Sequence, residues 1–282
     1  LSATSPSKTF SNLMHHVNVD SLRECYHLMS GKKALGIDGV TKEQYGGNLE
    51  ENLEELITKM KRMSYRPAAV RRVNIPKPGQ PGKSRPLGIS NFEDKLVQKQ
   101  FQRILESIYD PIFLRSSYGF RRGLGCHDAV RALKTYLYRE KVATVIDVDL
   151  AKFFDTITHE IVEELLRFKI KDERFIRYII RMFKAGVLEE GELQLSDEGV
   201  PQGSCVSPIL ANILAHYVID EWFEDTVKSY CKGKVELFRY CDDLVICCQY
   251  DAEAKRIKAA LGKRLDRFKL EMNEEKTKLV SF

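Results

Sequence analysis

Residues 238–246 read Phe-Arg-Tyr-Cys-Asp-Asp-Leu-Val-Ile, with Asp242 and Asp243 at the crest of what reads as a β-hairpin. β-forming residues lead in over 235–238, and an unbroken apolar run leads out over 244–248. Aspartate is depleted from strands and adjacent carboxylates repel, so a fold that keeps both here must gain something from them. A divalent cation, which prefers hard oxygen ligands, would supply that gain. A solvated turn would also account for the pair taken alone, because Asp is a common turn residue.

A second acidic strand shifts that balance. Residues 144–150 have strand composition, and a side-chain period of two puts Asp147 and Asp149 on one face. The strand runs on into Phe153, Phe154 and Asp155. Two strands that carry carboxylates where apolar residues would pack better point to one shared metal site. Paired cations about 3.5–4 Å apart are how polymerases and nucleases stabilise in-line attack on phosphate.

Size and charge frame this reading. The chain has 282 residues, enough for one large domain or two modest ones, and 30% of them are charged. The net charge is only +5, but it is unevenly spread. Between Glu55 and Glu93 there is no acid, while Lys59, Lys61, Arg62, Arg66, Arg71, Arg72, Lys77, Lys83 and Arg85 supply bases. A one-sign segment of that length reads as a surface facing a polyanion. The seven cysteines form no CxxC pair and no zinc spacing, as in a reduced, intracellular protein. No run approaches the roughly 18 apolar residues of a membrane span, and the start carries no signal-peptide pattern, so a cytoplasmic protein is expected.

Along the chain, Ser21-x-x-Glu24 predicts a capping box for a first helix, and Thr41-x-x-Gln44 another for a long helix through Met60. Residues 70–75 form a short basic strand. A Gly/Pro-rich loop over 76–86 then holds Lys77, Lys83 and Arg85 on stiff turns; it lacks the Walker arrangement. Ser90-x-x-Glu93 predicts the start of the next helix, and further helices are expected over 126–140, 160–168 and 172–184. A hairpin is expected over 188–195. Ser207-Pro208 is a strong start for a helix to about Tyr230. After the acidic hairpin come a helix over 251–268 and short strands near 270–272 and 277–280. Strands and helices alternate irregularly, so the fold class is α+β with a largely antiparallel sheet packed on helices.

These segments, in this order, resemble the reverse transcriptases of group II intron-encoded proteins, the intron maturases. Ile37-Asp38-Gly39-Val40, Arg85-Pro86-Leu87-Gly88-Ile89 and Ser117-Tyr118-Gly119-Phe120-Arg121 look like the family's finger blocks. Asp149 to Asp155 looks like its first palm motif, and Gly199-Val-Pro-Gln-Gly-Ser204 with Ser207-Pro208 like its second. Tyr240-Cys241-Asp242-Asp243 matches the catalytic tetrapeptide, with Cys where Ala or Met is commoner, and Asn273 to Thr277 the block that follows.

The resemblance implies a right-hand polymerase, with fingers over 1–140 and a palm over 141–282. It implies that Asp149, Asp242 and Asp243 hold two Mg²⁺ ions. Lys276 would protonate pyrophosphate, and Phe154 would crowd a ribose 2′-hydroxyl and so favour deoxynucleotides. Lys77 and Arg85 would clamp the triphosphate of the incoming dNTP; the loop over 79–82 lengthens the spacing between them. Gln202 and Gly203 would support the templating base pair. Arg62, Arg66, Arg71, Arg72, Arg121 and Arg122 would track phosphates of the intron RNA template, along which a DNA primer is extended. The thumb of the family is expected to be absent from this chain, which would leave synthesis weak or lost, and pairing of two copies into a homodimer stays open. A splicing cofactor that mainly binds its intron RNA is one alternative. A retron, diversity-generating or CRISPR-linked reverse transcriptase is another.

Overall fold

The computed structural model describes residues 8–76, 79, 82, 84–189, 191–196, 199 and 203–282. Lys77 and Gln202 lie outside the described residues. Among those described, the strands in chain order are β1 (Val70–Pro76), β2 (Ser84–Ile89), β3 (Thr144–Ala151), β4 (Val187–Glu189), β5 (Glu192–Gln194), β6 (Val235–Tyr240), β7 (Asp243–Cys248), β8 (Glu271–Met272) and β9 (Lys278–Ser281). The α-helices are α1 (Val19–Leu28), α2 (Lys42–Gly46), α3 (Leu49–Lys61), α4 (Phe92–Tyr109), α5 (Cys126–Arg139), α6 (Phe153–Thr156), α7 (His159–Arg167), α8 (Glu173–Phe183), α9 (Ser207–Ala215), α10 (Lys228–Tyr230) and α11 (Asp251–Asp266). The chain divides into two compact units, one made of residues 1–108 and 166–207, the other of 109–165 and 208–282. The first unit therefore takes back a stretch from the middle of the chain.

In the first unit, helices pack around aromatic and aliphatic side chains. Leu53, Leu56, Ile57 and Met60 of α3 are buried, as are Phe175, Ile176, Tyr178, Ile179, Met182 and Phe183 of α8. Phe101 of α4 stacks on Phe175 at 4.4 Å, and the Tyr178 hydroxyl donates to the Met60 carbonyl at 2.9 Å. Both stacked rings are fully buried. Phe101→Ala should therefore cost about 3–5 kcal/mol of stability, read as a lowered urea midpoint with an unchanged slope.

One predicted cap shifts and one predicted helix breaks. Asn18, not Ser21, caps α1: its side chain accepts from the Ser21 amide at 2.9 Å while Ser21 Oγ accepts from the Asn18 amide at 3.1 Å. Ser21 is the inner partner of the box. Thr41 and Gln44 form the predicted box, but the helix they open ends at Gly46 and α3 starts afresh at Leu49. Gly46 sits against Tyr26, whose hydroxyl would lie 2.0 Å from any Cβ placed there. Glycines at 46 and 47 weaken helix continuation. The sheet of this unit runs β2-β1-β4-β5 and is antiparallel except that β1 and β4 pair in parallel.

In the second unit the sheet order is β6-β7-β3-β8, with β9 pairing the other half of the same edge of β3. Every pairing in it is antiparallel. Along β3, Thr144, Ile146, Val148 and Leu150 are buried, while Asp147 is exposed and Val145 and Asp149 half-buried. An antiparallel sheet with one packed face and one open face yields this alternation. Ile257, Leu261 and Leu265 of α11 are buried in the same unit and, with Ile146, Val148, Leu244 and Ile246, make its core.

The helix beginning at Ser207 departs from regular geometry. It widens into π-helical turns over His216–Asp220 and Trp222–Val227 before resuming at Lys228. Such turns are rare and frequently mark functional sites. Among the described residues no helix is long and apolar enough to cross a membrane.

Candidate active site

Asp149 on β3 stands directly opposite Asp243 on β7. Directly paired residues share a face, with Cβ atoms about 4.5–5.5 Å apart. Tyr240 pairs with Asp243, so Cys241 and Asp242 form a two-residue turn. Cys241 takes a left-handed backbone, φ 59°, where Gly or Asn is usual. That conformation costs a β-bearing residue roughly 1–2 kcal/mol and persists only where the surroundings over-determine it.

Gly119 is one of those surroundings. A Cβ there would lie 2.3 Å from the Cys241 amide nitrogen and 2.5 Å from its sulfur, so only glycine lets this loop press against the turn. Below the turn, Arg239 is fully buried and paired at 2.6 Å with an equally buried Asp220. Arg239 shares its strand face with Val235 and Leu237. That placement, a charge at an apolar position of an alternating strand, is the one signal of this network that the sequence carries.

Burial, and then the charge of Asp149, pushes the Asp242 carboxyl above the usual carboxylate range. Burial, followed by the charges of Asp242, Asp149 and Asp147, does the same to Asp243. The Cys241 thiol is pushed up to about 12, mainly by burial and then by Asp242, so it stays protonated at neutral pH. Asp149 is held differently. Its carboxylate meets Lys276 Nζ at 3.2 and 3.3 Å, its amide donates to Thr277 Oγ1 at 3.3 Å, and its carbonyl accepts from the Asn273 amide at 2.8 Å. Asp147 lies opposite Lys278 on β9, away from the turn.

Three carboxylates on one patch, mutually repelling, suit a hard divalent cation. As the side chains lie, no three acidic, His or Cys groups among the described residues are gathered closely enough to ligate an ion. Asp149 is instead occupied by Lys276. Asp149 and Asp243 nevertheless face one another across the paired strands.

The remaining candidates divide. Phe153 is buried, whereas Phe154 is half-buried and meets Phe153 edge-on at 5.7 Å and the exposed Phe120 at 6.4 Å. In the first unit, Arg85 is exposed on β2, and Gly203, φ 105°, packs so closely that a Cβ would lie 2.6 Å from the Gly88 carbonyl. Arg62 and Arg122 are exposed. Arg66, also exposed, donates to the carbonyls of Met63 and Tyr65. The other three expected phosphate contacts are already engaged within the protein. Arg71 donates to the Leu35 carbonyl, and Arg72 pairs with Glu189 at 3.0 Å. Arg121 binds Asp110 and the carbonyls of Leu114 and Ser117 while lying over the Phe113 ring. Each of these three guanidinium groups is a staple of its own unit.

The sequence model of the family described as reverse transcriptase (RNA-dependent DNA polymerase) matches residues 75–281. Over 220 residues the chain is 35% identical to a putative COX1/OXI3 intron 1 protein of Saccharomyces cerevisiae, covering 78% of this chain and 26% of that protein. It is 36% identical over 191 residues to the group II intron-encoded protein LtrA of Lactococcus lactis subsp. cremoris, covering 68% of this chain and 31% of that one. Against the protein YkfC of Escherichia coli K12 it is 33% identical over 245 residues, 84% of this chain and 63% of the other. The chain thus spans between about a quarter and just under two thirds of the length of these three relatives. Among solved structures, apo telomerase from Candida tropicalis superposes with a TM-score of 0.56 at 17% identity over 76% of this chain and 50% of that one, a likeness of fold.

Proposed function

The chain belongs to the reverse transcriptases of group II intron-encoded proteins, and from that premise we propose that it carries the RNA-directed DNA polymerase centre of such a protein. The observation that supports this reading best is Asp149 facing Asp243 beside the turn that bears Asp242. Mg²⁺, two ions when bound, would supply the Lewis acidity that activates the primer 3′-hydroxyl and neutralises the nucleotide phosphates. Asp149, Asp242 and Asp243 would hold them.

The chain's own residues then take these roles. Lys276, whose amine rests on Asp149, would be released as a cation arrives and stand ready to give a proton to the departing pyrophosphate. The half-exposed Phe154 ring would crowd a ribose 2′-hydroxyl. Arg85 would grip phosphate with its paired N–H groups, with Lys77 as a second charge. Gln202 and Gly203 would support the templating pair, and Arg62, Arg66 and Arg122 would follow template phosphates of the intron RNA. We assign residues 1–140 mainly to fingers and 141–282 mainly to palm.

Primer extension tests the reading. A DNA primer on an RNA template should be extended with dNTPs in Mg²⁺ by the protein, and not after chelation. Phe154→Val should raise ribonucleotide incorporation relative to deoxynucleotide by about 10-fold or more, the worth of about 1.4 kcal/mol of relieved crowding. Unchanged sugar selectivity would remove Phe154 from the site, and extension indifferent to chelation would refute the polymerase assignment.

A further inference from the structure

We propose that Arg239 is a positioning residue: by holding the Cys241 carbonyl from below, it fixes the turn that carries Asp242 and Asp243, and so sets how tightly they take up a divalent cation. The inference rests on the polymerase reading of those carboxylates and adds a residue that the reading does not need.

Every donor of this guanidinium is used. Nε donates to Asp220 Oδ1 at 2.8 Å; Nη1 donates to Asn212 Oδ1 at 2.9 Å and to the Cys241 carbonyl at 3.0 Å; Nη2 donates to Asp220 Oδ2 and Ser117 Oγ, both at 2.6 Å. An arginine offers five N–H groups, and here each has a protein acceptor. Asn212 completes the ring by donating from Nδ2 to the Gly119 carbonyl at 2.8 Å, and Gly119 is the residue pressed against Cys241. The backbone repeats the stitch: the Arg239 amide donates to Ser116, and the Tyr118 amide to the Arg239 carbonyl. One buried cation thus ties a helix, a loop and a strand to the strained turn.

Stability alone is a poor reason for this arrangement, because a buried ion pair rarely outperforms well-packed apolar residues. Its geometry is costly in a second way. Asn212 and Asp220 are eight residues apart, which on a regular α-helix leaves them about 80° out of line. The π turn over His216–Asp220 takes up much of that drift, so both side chains reach one guanidinium. What the network adds is a fixed carbonyl at residue 241, and with it a fixed direction for the next two side chains.

Arg239→Lys keeps a charge beside Asp220 but presents its donors from a single nitrogen, which cannot span Asp220, Asn212, Ser117 and Cys241 together. Mn²⁺ binding to the whole chain, followed by electron paramagnetic resonance well below the melting temperature, should weaken about 10-fold, as when supports of metal ligands are removed. Asn212→Ser, a milder change to the same ring, should weaken it in the same direction and by less. A purely structural staple would lower the melting temperature while the folded protein binds Mn²⁺ within twofold of the wild type, and that result overturns the proposal. If Arg239→Lys does not fold, Asn212→Ser decides by the same criterion. Mn²⁺ binding that is indifferent to Asp242→Asn overturns the metal site itself, and the positioning role with it.

Discussion

Asp242→Asn should lower nucleotide addition by about 10³-fold and at the same time raise the melting temperature of the metal-free chain at pH 7. The first effect follows from the several kcal/mol of charge stabilisation that a bound cation contributes to phosphoryl transfer, about tenfold per 1.4 kcal/mol. The second follows from the carboxyl's displaced titration. Burial, then the charge of Asp149, raises its pKa in the fold above the value of the unfolded chain. Below the unfolded value the group is protonated in both states and costs nothing. As pH rises through the folded value, the desolvated charge must be carried, and stability is lost. Above the folded value that cost is carried, and asparagine removes it. Thermal melts in chelator at pH 7 check the sign, and primer extension checks the loss. Activity lost together with a lowered melting temperature would mean that Asp242 supports the fold rather than the chemistry.

Arg239→Ala should be the most destabilising single substitution among the polar residues of the second unit, at about 3–5 kcal/mol, because Asp220 would remain fully buried without its counter-charge. The Asn212 and Ser117 acceptors would lose their donor as well. Removing both charges with Arg239→Met and Asp220→Leu should recover most of that loss, since it is the orphaned ion that is expensive. Urea denaturation of the single and double variants measures both. A single variant within about 1 kcal/mol of the wild type would show that water reaches Asp220 and that the pair is not sealed.

Most of the fold was legible because its signals are local. The alternation over Thr144–Leu150 announced a strand with one packed face, and the structure pairs it on both sides. What escaped depends on partners distant in sequence. The pattern Ser-x-x-Glu at 21–24 predicts a cap at Ser21, but Asn18, one turn earlier, caps the helix, and the entry of the chain decides that. The helix expected to run on from Thr41 ends at Gly46, where Gly46, held close against Tyr26, and Gly47 weaken its continuation. The π turns are invisible in a stretch such as Ile213–Ile219, buried almost all round, where no polar face marks the phase.

The site was legible to the same degree. Asp149 and Asp243 share a face because two antiparallel strands put them there. Long cations were harder, since a guanidinium reaches either water or the interior from the same backbone position. Arg71 and Arg121 reach inward, to Leu35 and to Asp110.

The contact between Lys276 and Asp149 gives the patch a built-in counterion, so on the proposed reading a cation would have to displace an ammonium already seated there. Uptake would be an exchange of one positive group for another. The lysine set free would then bring its proton to the place where the proposed phosphate chemistry ends.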